Sequence, residues 1–188
     1  MTQRYSVVGQ QMIDEARSFA TAAHYAIGQV RKYTNEPYIE HPKRVAELVQ
    51  SVNGHSWHMV AAAWLHDVVE DTKVPLSVIN DIFGGAVGMM VMHLTNVPLS
   101  EGNRKTRFDL NLQKLSLASD ETKTIKLADL IDNTASIVRH DRSFATVYLT
   151  EKEKTLEVLK GGDLMLWRRA QRVLQEGQQE LLNVALAR

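Results

Sequence analysis

Apolar residues recur along this chain at the spacing of one helical face after another. The first stripe is Met12, Ile13, Ala16, Phe19, Ala20 and Ala23, which follows i, i+1, i+4, i+7, i+8 and i+11. A second is Val45, Leu48, Val49 and Val52, and the stretch from Trp57 to Val69 is apolar almost all round, the pattern of a central buried helix. Strand-like alternation is nearly absent. Pro75 suits a helix start, where a missing N–H costs nothing, and Gly84-Gly85 separates a short helix ending near Phe83 from the apolar segment Ala86 to Leu94. From Asn96 to Arg104 the chain is polar and carries Pro98 and Gly102, which predicts a loop before a helix bearing Phe108, Leu112 and Leu115. Another helix is expected over about Thr122 to Val138. Thr150 with Glu153 predicts a capping box for a helix running to about Lys160, and Gly161-Gly162 breaks it before a last helix rich in Leu, Arg and Gln. The pattern predicts a single all-α domain over residues 1–188, a bundle of roughly eight to ten helices.

Composition narrows what such a bundle can do. The 188 residues are 44% apolar and 23% charged, ordinary for one globular domain. Twenty-two Lys and Arg balance twenty-two Asp and Glu, so a general basic footprint for duplex nucleic acid is missing. There is no cysteine, which excludes disulfides, Cys-based zinc sites, iron–sulfur clusters and a thiol nucleophile together. The amino terminus lacks a signal-peptide core, and the longest unbroken apolar run, Met59 to Leu65, is far short of the roughly 18 residues of a membrane span. The default expectation is a cytoplasmic protein with no membrane partner. Met89, Met90 and Met92 read as core filling or as a contact in a homo-oligomer.

Candidate chemistry concentrates in His66-Asp67-Val68-Val69-Glu70-Asp71-Thr72, at the end of the most apolar segment. On one continuous helix, His66 would share a face with Glu70, and Asp67 with Asp71. Titratable groups against a core are costly unless paired or bound to a cation. Asp129, Asn133 and Ser136 form a polar stripe at i, i+4 and i+7 among Ile125, Leu127, Ala128, Leu130 and Ile131. His41 precedes Pro42, which disfavours the helical region and predicts a loop end there. His41, His66, Asp67 and Asp129 together offer two imidazoles and two carboxylates, a donor set for Mn²⁺, Fe²⁺ or Zn²⁺, with Glu70 and Asp71 available to move a proton. The cationic Arg104-Lys105-Thr106-Arg107 follows Gly102-Asn103 at a helix start, where Arg104 could meet a phosphate, although a solvated basic turn fits equally. His24 reads as a packed, hydrogen-bonded side chain. Gly84 to Gly88 lacks the Lys-Ser/Thr of a phosphate loop, and no Gly-x-Ser-x-Gly elbow exists.

These residues resemble the HD-domain metal-dependent phosphohydrolases, through His41, the His66-Asp67 pair and Asp129. The fuller match is to the hydrolase domain of RelA/SpoT-type alarmone enzymes. Gly28 to Tyr33, Glu36 to Pro42, His66 to Thr72, Phe83-Gly84 and Lys126 to Asp129 look like its signature blocks in order, within about Phe19 to Val138. The resemblance implies an HD-type helical bundle acting as a stand-alone small alarmone hydrolase. It implies one Mn²⁺ per chain on His41, His66, Asp67 and Asp129, other divalent ions being alternatives. The implied reaction removes the 3′-pyrophosphate from guanosine tetra- or pentaphosphate, giving pyrophosphate and GDP or GTP. Glu70 and Asp71 match the acidic pair that orients or activates the attacking water, Arg31 the base-stacking arginine, Lys32 its phosphate- or base-contacting neighbour, and Asn133 and Ser136 the positions that contact the sugar and the 3′ group. Four departures stand out: the spacing from His24 to Gly28-Gln29 is longer than usual, Arg31 to His41 is one residue longer, Leu130 follows Asp129 where the family often has Arg, and Asp132 stands where a histidine is common. The same metal chemistry on another nucleotide (an NADPH-like phosphate, a 5′-nucleotide or a tRNA 3′-end pyrophosphate) and a non-hydrolysing alarmone-binding module are the alternatives.

Overall fold

Short polar side chains start most of the helices. In a computed structural model describing residues 5–186, Ser6 caps α1 (Val7–Ala26), Ser56 caps α3 (Trp57–Leu65) and Asn103 caps α6 (Arg104–Ser116). Ser119 and Asp141 do the same for α7 (Asp120–His140) and α8 (Arg142–Val158). Each side-chain oxygen accepts from the backbone N–H three residues on, at 3.0–3.3 Å, which satisfies one orphan donor and contributes about 1 kcal/mol. The remaining helices are α2 (Glu40–Gln50), the single turn α4 (Val68–Asp71), α5 (Leu76–Leu94) and α9 (Leu164–Leu186), with a 3-10 turn at Leu99–Glu101. Nine α-helices and no strand occur among the described residues, beyond one isolated bridge between Val30 and Pro37.

Helix α3 is the axis of the bundle. Met59 to Leu65 are all buried, and α1, α2, α5 and α7 pack around them. Three consecutive alanines, Ala61 to Ala63, let those neighbours approach from several sides. Helix α7 lies against α2, α3 and α5 on one side and α8 and α9 on the other, so Ile125, Leu127, Ala128, Leu130 and Ile131 are all buried. The chain therefore carries its polar candidates on the two most buried helices. In α5, Ile79, Phe83, Val87, Met90, Val91 and Leu94 face inward. This helix is long and apolar enough by composition to cross a bilayer, but the backbone breaks at Gly84 and its apolar face closes the core. Met90 packs inward while Met89 is exposed.

Three local expectations are corrected. The apolar stretch from Trp57 to Val69 is not one helix: α3 ends at Leu65, Asp67 takes φ −100° and ψ −6°, and α4 resumes at Val68. Helix α8 starts at its cap Asp141, not at Thr150, whose hydroxyl donates back to the Thr146 carbonyl at 3.0 Å. His41 lies inside the first turn of α2, because Pro42 occupies a position whose N–H has no partner in a helix anyway.

The break at Gly84 has φ +83° and ψ 161°, a region open essentially to glycine, with nothing within 4 Å of a Cβ added there. Gly84→Ala is expected to lower stability by about 1–3 kcal/mol in urea denaturation. Gly85→Ala, next to it in open space and helical, should be neutral or stabilise by up to about 1 kcal/mol.

Candidate metal centre and its pocket

Helices α2, α3 and α7 bring His41, His66 and Asp129 to one point in the core. The Nε2 atoms of His41 and His66 face each other at 3.2 Å. Asp129 Oδ1 lies 3.2 Å from His41 Nε2 and 3.8 Å from His66 Nε2. Asp67 Oδ2 lies 3.1 Å from His66 Nε2 and 3.5 Å from His41 Nε2. One donor atom each from His41, His66 and Asp129 falls within 4.8 Å of the others, a set able to hold a divalent metal.

The outer nitrogens decide how this set can be used. His41 Nδ1 donates to Asp132 Oδ2 at 2.6 Å, and His66 Nδ1 donates to the Ala63 carbonyl at 2.7 Å. With Nδ1 carrying the proton, each Nε2 turns its lone pair to the shared point, the arrangement that fixes metal-binding imidazoles. Asp132 is itself gripped by Arg44 through Nε at 2.5 Å and Nη2 at 3.3 Å. Asp129 receives Asn133 Nδ2 on Oδ1 at 2.6 Å and Lys126 Nζ on Oδ2 at 2.7 Å. Tyr38 donates its hydroxyl to Asp67 Oδ2 at 2.6 Å. The residues present thus fit a divalent cation: donors converge and their far sides are tied down.

Electrostatics agree. Burial opposes charge on His41, but its contacts with Asp129, Asp132 and Asp67 outweigh it and raise the imidazole to about 10. Burial pushes Asp129 up, yet Lys126 and the two imidazoles hold its carboxyl far below the usual range. Asp67 is likewise held low against burial by His66 and His41. The centre demands positive charge, which either protons or a metal can supply.

A cavity of about 430 Å³ opens beside this centre. Asp67, Glu70, Asp71, Asp129, Asn133 and Arg104 line it, so the acidic pair and the metal donors share one space. Because the chain breaks after Leu65, Glu70 and Asp71 do not simply continue the face of His66. Glu70 accepts from the Asn96 backbone N–H at 2.8 Å and from Asn96 Nδ2 at 3.0 Å. Asp71 accepts from Gln29 Nε2 at 2.8 Å, and Gln29 Oε1 accepts from His24 Nδ1 at 2.7 Å. Burial and the Asp67 charge raise the Asp71 carboxyl. Arg104 is paired two-pronged with Glu151, at 2.8 and 2.7 Å.

Arg31, Lys32 and Ser136 line no part of the cavity. Arg31 Nη2 donates to Asn133 Oδ1 at 3.0 Å, so it stands directly behind a lining residue. Lys32 is exposed, 3.2 Å from Asp141 and over the Tyr33 ring. Ser136 follows Asn133 by one turn of α7 and accepts from His140 through its carbonyl. Periodicity did not single out Asp132, Arg44, Tyr38, Gln29 or Lys126 as partners of the centre. Asp132 and Lys126 carried a usable signal, since each is three residues from Asp129 on the same helix.

Comparison with known proteins places this geometry. A model of the HD domain matches residues 16–154. The chain belongs to the HD domain family. A Synechocystis relative named probable guanosine-3′,5′-bis(diphosphate) 3′-pyrophosphohydrolase is 30% identical over 68% of this chain and 19% of its own length. An Aquifex aeolicus protein named guanosine-3′,5′-bis(diphosphate) 3′-pyrophosphohydrolase is 33% identical over 66% of this chain and 18% of its own. The Brucella ovis GTP pyrophosphokinase rsh is 31% identical over 74% of this chain and 19% of its own. The chain thus spans about a fifth of the length of the curated relatives it matches. Among solved structures, a metazoan ortholog of SpoT described as hydrolysing ppGpp superposes with TM-score 0.80 at 23% identity, covering 93% of this chain and 97% of that one. The Listeria monocytogenes protein lmo0812 gives TM-score 0.62 at 22% identity, covering 77% and 97%. At these identities the structural likeness is one of fold, and it bears out the all-α HD-domain bundle.

In this HD domain the clamp behind His41 is a carboxylate. Asp132→Asn is expected to weaken Mn²⁺ affinity about 10–100-fold in calorimetric titration while the helical circular-dichroism signal is kept. In the metal-free protein His41 holds its second proton up to about pH 10, and that proton must leave before Nε2 can bind an ion. Loading at pH 7.5 in weak buffer should therefore acidify the solution, and affinity should fall as pH falls.

Proposed function

We propose that this protein is a guanosine-3′,5′-bis(diphosphate) 3′-pyrophosphohydrolase using one Mn²⁺ per chain, held by His41, His66, Asp67 and Asp129. The observation that carries the reading is that two imidazole Nε2 atoms, 3.2 Å apart beside Asp129, adjoin a cavity shared by Glu70, Asp71 and several cations. The names of the Synechocystis and Aquifex relatives, which match over the HD domain, support the substrate. When bound, the metal supplies Lewis-acid polarisation of a phosphoryl oxygen and lowers the pKa of water.

The chain's own residues supply the rest. Asp71, with its carboxyl raised by burial and by Asp67 and its direction set by Gln29, is suited to take a proton from the attacking water. Glu70, fixed by the backbone and side chain of Asn96, orients that water. Attack forms a bond from the water oxygen to the phosphorus attached to the ribose 3′ oxygen, the 3′ P–O bond breaks, and the 3′ oxygen leaves as a hydroxyl by taking up a proton from solvent. Pyrophosphate and GDP, or GTP from the pentaphosphate, are the products. In this reading Asn133, which lines the cavity, and Ser136, one turn further along α7, serve the sugar and the 3′ group, and Arg31 and Lys32 outside the cavity serve the base. Arg31, tied to Asn133 and lying 3.8 Å from Asp132 with its side chain 12% exposed, must turn one guanidinium face outward to stack on guanine. A small-molecule substrate of this kind fits a cytoplasmic enzyme.

The test is to strip the protein of metal, restore Mn²⁺, and follow guanosine tetraphosphate by anion-exchange chromatography. GDP and pyrophosphate are expected from the wild type, and none from Asp67→Ala or Asp129→Ala. Asp71→Asn should lose about 10²–10⁴ in kcat with Mn²⁺ affinity retained. Unchanged tetraphosphate with metal bound would overturn the substrate, and release of phosphate alone from another nucleotide would replace it.

A further inference from the structure

The cavity beside the metal centre is lined by four cations: Arg104 and Arg107 from α6, Lys126 from α7 and Lys152 from α8. Two already have counter-charges. Lys126 meets Asp129 at 2.7 Å, and Arg104 is locked to Glu151 while its guanidinium lies over the Phe144 ring at 4.8 Å. The other two have none among the described residues. Arg107 makes no ion pair, and its Nε is buried without a hydrogen-bond partner. Lys152 makes neither a hydrogen bond nor an ion pair, and its ammonium rests 5.2 Å from the centre of the Tyr148 ring.

Half-buried cations without partners are costly, and a pocket that keeps two of them is short of an anion. The charges that act on Lys152 come from three helices: Lys126 and Asp129 on α7, Arg104 on α6 and Glu151 on its own. Burial and Lys126 press its ammonium down to about 8, the direction that a bound anion would reverse. Asp129 and Glu151 offset this only in part and through space, since neither hydrogen-bonds the ammonium and both Glu151 oxygens accept from Arg104.

A guanidinium fork and a flexible ammonium, with two more cations in the same cavity, suit a multiply charged phosphate better than a single carboxylate. We propose that Arg107 and Lys152 form an anion subsite that grips the 5′ phosphates of the substrate, away from the 3′ phosphorus attacked at the metal. The protein thereby selects nucleosides phosphorylated at two positions. This deepens the proposed function and rests on it for the identity of the cleaved bond.

The test compares two substrates of the Mn²⁺-loaded full chain: guanosine 3′,5′-bis(diphosphate), and guanosine 3′-diphosphate with a free 5′ hydroxyl. The wild type should favour the first by about tenfold or more in kcat/KM. In Arg107→Gln and Lys152→Met that preference should shrink to about threefold or less, with the loss in KM, and Lys152→Arg should restore it. Variants that keep the full preference, or lose both substrates equally, overturn the subsite. A second measurement does not depend on turnover: inorganic pyrophosphate titrated into metal-free protein should bind the wild type about tenfold more tightly than the double variant, with melting temperatures compared as a check on folding. Equal affinities overturn the subsite. If the wild type hydrolyses neither nucleotide, the proposed function falls, and the pyrophosphate titration still decides whether the subsite exists.

Discussion

Two imidazole nitrogens held 3.2 Å apart inside a helical core set the terms for what surrounds them. Two lone pairs at that distance repel, and two N–H groups would collide, so the pair needs one positive charge between or beside its members. The protein fixes both outer nitrogens, one on Asp132 and one on a backbone carbonyl, and so leaves only the inner ones free to respond. Asp132 is held by Arg44, and Asp129 by Lys126 and Asn133. Each buried charge of this centre is therefore paired with an opposite charge or satisfied by a donor, which offsets the desolvation that would otherwise drive these groups neutral.

That requirement reaches into the fold. The imidazoles come from the first turn of α2 and the end of α3, and the carboxylates from the α3–α4 junction and the middle of α7. For those backbones to converge, α3 must be narrow, and Ala61 to Ala63 make it so. At the junction of α3 and α4, His66 and Asp67 follow one another in the chain, and the Asp67 carboxylate comes within 3.1 Å of the imidazole. The single turn α4 then carries Glu70 and Asp71 to the cavity wall.

The helical stripes were legible because amphipathic spacing reports burial directly: Ile13, Ala16 and Ala20, or Val45 and Val49, are buried as their spacing requires. His66, Asp67 and Asp129 were legible because polar residues stood where apolar ones were due. What stayed hidden has two physical origins. Boundaries were misplaced where two local signals competed, as at Thr150, where Asp141 starts the helix earlier and leaves Thr150 in its interior. Partners were missed where pairing spans distant segments: His41 with Asp132 across 91 positions and Gln29 with Asp71 across 42. No periodicity encodes such pairs. Asp132 shows the difference most clearly, since it was visible as a departure from the family pattern, while its role appeared only when α2 and α7 met.

The distribution of charge follows from the same logic. The chain is neutral overall, yet the cavity places carboxylates around the imidazoles together with two cations left unpaired on α6 and α8. Successive residues on a helix point about 100° apart, so Glu151 can hold Arg104 without approaching the ammonium of its neighbour Lys152. The Arg104–Glu151 bridge consequently does two things at once: it ties α6 to α8, and it engages both oxygens of the carboxylate next to Lys152 in the chain. Arg104, the residue that its place at a helix start marked for phosphate, is the cation whose charge is already answered. The attraction for an anion is passed to the two cations that a reading of helix starts alone does not find.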